Sequence, residues 1–131
     1  MKNRTTSKHF EIFKKEAELW INKIGLKDWR IDFVHRDSPD GKSTRAWFRA
    51  DIEARAGKIG LALDWAPDQI TTSRLRISAF HEVLELLLAP LGWIAECRFA
   101  QPEEIPEATH AIIRRFENLF YGNAKPKTKK V

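Results

Sequence analysis

The segment Ala79 to Leu88 reads AFHEVLELLL, with His81, Glu82 and Glu85 set in an otherwise apolar run. Residues four apart on a helix lie on one face, so His81 and Glu85 can converge on a single point. Zinc sites of hydrolases use two ligands one turn apart, with a glutamate directly after the first to take a proton from a metal-bound water. In this pattern Glu82 is the candidate general base. HEVLE differs from the full motif at one position, since Glu85 stands where a second histidine would be. A third protein ligand must come from elsewhere in the chain, leaving the fourth position for water or substrate. The alternative is an internal ion pair, with arginines such as Arg114 or Arg115 neutralising the acids and the histidine inert. Some compensation is needed either way, because an unpaired buried charge costs several kcal/mol.

Helices and strands to position these residues can be read from periodicity. Phe10, Phe13, Ala17, Trp20 and Ile24 recur at helical spacing, predicting an amphipathic helix over 6–24 that ends near Gly25. Trp29, Ile31 and Phe33 alternate with polar residues, which predicts a strand followed by a Ser-Pro-Asp-Gly turn. Phe48, Ala50, Ile52 and Ala54, then Ile59, Leu61 and Leu63, alternate as the two arms of a β-hairpin. The Thr-Thr-Ser at 71–73 offers N-caps for the central helix, predicted to run to about Ala89 where Pro90 ends it. Residues 91–105 read as a linker. Pro106 suits the first turn of a last helix, whose stripe is Ile112, Ile113, Phe116, Leu119 and Phe120, stopped by Gly122.

The order of elements, HEVLELLLAPL on a buried helix after a hairpin, and THAIIRRFENLFY on a last helix together resemble the minimal zincin-type metallopeptidases of the kind encoded by phages and prophages. The likeness spans about residues 6 to 121. It implies an α+β zincin-like fold: an N-terminal helix, a three-stranded antiparallel or mixed sheet, a central active-site helix and a C-terminal helix. It also implies a zinc-dependent metallopeptidase acting on a peptide or protein substrate. In the family the last helix carries an acidic residue followed by histidine; here Thr109 stands at the acidic position and His110 matches the histidine. The implied metal set is therefore His81, Glu85 and His110, with Glu107 as the substitute third ligand. Iron or manganese would suit the same donors. If the third ligand belongs at position 109, threonine cannot supply it and the site is inactive. By the same resemblance the strand through Ile59, Leu61, Leu63 and Trp65 is the edge along which a peptide pairs. His35, Arg114 and Tyr121 are the candidates to steady an oxyanion. The competing expectation is an inactive member of the fold that binds a protein or nucleic acid.

Composition narrows the remaining classes. The 131 residues suffice for one domain, with a basic tail expected over 122–131. No uninterrupted apolar run approaches the roughly 18 residues of a membrane span, and no apolar stretch follows the basic N-terminus, so a cytoplasmic protein is expected. The single Cys97 excludes an internal disulfide. Net charge is +5, yet Lys125, Lys127, Lys129 and Lys130 with Lys2, Arg4 and Lys8 account for seven positive charges, leaving −2 for residues 10–121. Weak, salt-sensitive nucleic-acid contact would thus be confined to the ends. The five tryptophans could suggest base stacking, but their positions favour core packing. Oligomeric state is not readable at this level.

Overall fold

The computed structural model describes residues 3–41, 45–97 and 101–121. The expected tail at 122–131, with the stop at Gly122, lies outside them. The chain is α+β: α1 (Ser7–Ile24), β1 (Arg30–His35), β2 (Ala46–Asp51), β3 (Ala56–Leu61), α2 (Thr72–Glu96) and α3 (Glu104–Tyr121).

Helix α1 starts where Thr6 and His9 close a capping box, each side chain taking the other's backbone N–H. It stops at Gly25, whose φ of 85° lies in the left-handed region that glycine enters at no steric cost. Phe13, Ala17 and Ile24 are its buried stripe, continued after the helix by Leu26 and Trp29.

The alternation predicted from sequence sets the faces of the sheet. Phe33, Phe48 and Ile59 share one register row, with His35, Ala46 and Leu61 beside it, and this face packs into the helical layer. Strand order is β1-β3-β2, with β1 parallel and β2 antiparallel to β3. The strand through Ile59 and Leu61 is therefore central and hydrogen-bonded on both sides, which corrects its expected role as the peptide-pairing edge. Beyond Leu61 the chain is covered as well, since Thr5 N–H donates to the Leu63 carbonyl and Trp65 N–H to that of Asn3, at 2.9 and 2.8 Å. On the outer face Trp47 lies flat over Gly60, where any Cβ would sit inside the indole. The edges of the sheet are β1 and β2.

Helix α2 is the main core element. Leu75, Ala79, Val83 and Leu86 are fully buried with Ile59, Leu61 and Trp65. Length and apolar composition alone would also let α2 span a membrane. The helix does not end at Pro90 but continues to Glu96, so the expected linker begins later. Proline removes only its own N–H bond to the carbonyl four residues back. Leu87, Pro90, Trp93 and Ile94 line the flank that faces α3, so the following turn has something to pack against.

Helix α3 is held at its middle by Arg115, whose guanidinium donates to the Gly25 carbonyl and reaches Asp28 at 3.3 Å. This ties α3 to the end of α1, on the flank of α2 lined by Leu87, Pro90 and Ile94. Of the tryptophans, Trp29, Trp47 and Trp65 are buried, in keeping with their expected packing role.

Candidate functional site

The polar cluster lies where α2 passes the edge strand β2. His81 Nε2 is 3.2 Å from Glu85 Oε2, so the i, i+4 spacing does bring these two side chains together, at the protein surface. Glu82 points to the other side of His81, toward the core, and only 7% of it is exposed. Burial pushes its carboxyl from 4.5 up to about 7; the Glu85 charge adds to the rise, and His81 opposes it. None of the ion pairs among the described residues brings a guanidinium to Glu82 or Glu85. Arg115 is held by Gly25 and Asp28, and Arg45 pairs with Asp68 at 2.9 Å. The arginine-neutralised alternative from the sequence is thus not what the protein does.

Two adjoining clefts share His81, Glu82 and Ala46. One, of about 240 Å³, also meets Ser38, Asp40, Trp47 and Glu85; the other, of about 310 Å³, also meets Arg45, Ile77 and Ser78. One wall is the start of β2, and the opposite wall is α2. Glu82 has no sealed, partnerless oxygen, so its carboxylate keeps access to this space.

The other expected residues fall elsewhere. His110 is exposed on α3, and its Nδ1 lies 2.9 Å from the Pro106 carbonyl of its own helix, which places the ring proton there. It lines neither cleft, and neither does Glu107, which faces the cavity between α2 and α3 with Arg114. Ile59, Leu61 and Trp65 are wholly buried and Leu63 is half-buried, so the expected substrate contacts are core residues. The Trp65 indole donates to the Arg45 carbonyl at 3.1 Å. His35 is engaged by Thr5 Oγ1 at 2.7 Å and stacks on Phe10; burial lowers its pKa, helped by His9 and opposed by Asp37. Tyr121 is exposed at the end of α3. None of the three expected oxyanion partners lines the clefts.

A catalytic zinc takes three protein ligands. His81 and Glu85 offer the right donor types for two of them, but no three His, Cys, Asp or Glu side chains converge among the described residues. The donors present therefore fit a resident catalytic metal incompletely. Ser38, Asp40, Arg45 and Trp47 were missed as cleft residues by the sequence reading. The Ser-Pro-Asp-Gly turn running straight into an alternating strand was the available signal.

No family model, curated protein or solved structure matches this chain. The zincin-like likeness therefore rests on the residues and on their arrangement.

Proposed function

We propose that this chain is a zincin-like domain that holds an extended peptide segment in the cleft between α2 and β2. The observation that carries the reading is a buried carboxyl, Glu82, facing a cleft that an edge strand borders. An edge strand has a row of backbone N–H and C=O groups open to a further strand, and peptide recognition by strand addition uses that row. A peptide paired with β2 would run past His81, Glu82 and Glu85. Its amide N–H groups would give Glu82 the hydrogen-bond donors that no side chain of this chain supplies, and the His81–Glu85 pair would meet polar atoms at the rim.

A second reading, a zinc-dependent metallopeptidase with Glu82 as general base, is favoured by a specific point: no guanidinium neutralises either glutamate. A cation is the other compensator for such a group. The two donors do not complete a catalytic set, so no step through a metal is derived.

One experiment addresses both. Untagged protein is analysed for zinc, iron and manganese, then incubated with a mixed peptide library and followed by mass spectrometry for capture and for cleavage. Capture of extended peptides by metal-free protein, weakened by proline at Phe48 in β2, is the expected result. One metal per chain, lost in His81→Ala, with cleavage abolished in Glu82→Gln, would establish the peptidase instead. Metal-free protein that neither captures nor cleaves would overturn both.

A further inference from the structure

Helix α3 carries two apolar faces, and the fold uses only one of them. Ile112 and Leu119 pack toward α1 and α2, with Ala108 and Ala111 on the same side. Ile105, Ile113, Phe116 and Phe120 lie exposed along the other face. Phe116 and Phe120 stack on each other with ring centroids 6.2 Å apart, and Phe120 is 73% exposed. Together with Thr109, these residues follow the 4-3-4 spacing of a helix–helix seam at 109, 113, 116 and 120. A contiguous run of aromatic and aliphatic side chains in water marks an interaction surface.

The charges flanking the stripe choose the occupant. Glu103, Glu104 and Glu107 cluster at the start of α3, whereas the sequence beyond Tyr121 has Lys125, Lys127, Lys129 and Lys130 and no acid. We propose that a second copy of this chain covers the stripe, its α3 running antiparallel about a twofold axis near Ile113. In that register Ile105 falls opposite Tyr121, and the acidic start of each helix meets the lysine-bearing end of the other. A parallel pairing would set acids on acids and lysines on lysines, which is unfavourable. The arrangement is isologous, so one patch serves both partners and the assembly closes at two. At 1.5 Å per residue the 18-residue helix is about 27 Å long, and one such seam falls at the small end of stable interfaces, giving reversible association. The α2–β2 cleft lies on a different flank of α2 and stays open in the dimer.

Sedimentation equilibrium of the full chain from about 1 to about 300 µM, spanning weak to moderate affinities, tests this. The expected result is conversion from 15.2 kDa to twice that mass, with dissociation favoured by high salt. The double variant Ile113→Glu and Phe120→Glu should stay monomeric with an unchanged circular dichroism spectrum, both positions being exposed. Replacing Glu103 and Glu107 by lysine should weaken self-association at least about tenfold. Mixing that variant with one in which the four tail lysines are glutamate should restore a heterodimer. Glu104 is spared because its carboxylate accepts the Gln101 N–H at 2.8 Å. A wild-type monomer at every concentration, a dimer indifferent to the Ile113 and Phe120 changes, or failure of the charge-swapped pair to associate would each overturn the proposal.

Discussion

Glu82→Gln should make this protein more stable at pH 8 and leave it unchanged at pH 4. The native carboxyl holds its proton up to about pH 7, while in the unfolded chain it releases it near 4.5. Between those values the native state binds more protons than the unfolded state, so stability falls as pH rises through the window. The gap between 4.5 and about 7, at about 1.36 kcal/mol per pH unit, amounts to about 3 kcal/mol. That is the cost of ionising a carboxylate against the core without a cationic partner. Glutamine keeps the shape and carries no charge, so it escapes the cost. His35 acts in the opposite sense: burial lowers its pKa, so its contribution is lost as pH falls below 6.5. That term is common to both proteins and cancels in their difference. Urea unfolding followed by tryptophan fluorescence at pH 4, 5, 6, 7 and 8 gives the two curves. Their separation should open from near zero to about 3 kcal/mol in favour of the glutamine variant. Parallel curves, or a variant less stable at pH 8, would show that Glu82 is satisfied by a partner.

Two further outcomes follow from the packing. Gly60→Ala forces a Cβ into the Trp47 ring and should cost about 1–3 kcal/mol, with Trp47→Leu in the same chain recovering part of it, as measured by equilibrium unfolding. Arg115→Ala removes the charged hydrogen bond to the Gly25 carbonyl and the contact with Asp28, at a cost of about 1–3 kcal/mol. Hydrogen exchange should then accelerate across α3 while α1 and β3 keep their protection.

What the sequence disclosed and what it withheld divide along a physical line. Local geometry was legible. The period-3.6 stripe gave α1 to within a residue, and period-2 alternation assigned Phe33, Phe48 and Ile59 to one face. The i, i+4 spacing of His81 and Glu85 implied a contact that the helix alone enforces. Alternation reports which face a side chain takes but not which strand is its neighbour. The insertion of β3 between β1 and β2 was therefore invisible, and the Ile59 strand was read as an edge. Pro90 was read as a terminator because propensity was weighed without the partner that packs around the next turn.

The missing third ligand and the missing counter-charge share a cause. The sequence offered α3 as the source of both, through His110 and through Arg114 or Arg115. In the structure Arg115 binds the carbonyl that ends α1 and the nearby Asp28, and this anchors α3 on the Leu87–Ile94 flank of α2. The same contact that takes up the guanidinium thus leaves His110 on the solvent side of α3. Glu82 then faces β2 and the 36–41 turn, whose Asp40 adds negative charge to the cleft. Compensation for ionised Glu82 has to enter from outside the chain, as a cation or as the amide donors of a bound segment. Prediction and site meet here: a ligand that neutralises the cleft should abolish the stability difference between wild type and Glu82→Gln at pH 8, even though it touches neither the core nor the rest of the sheet.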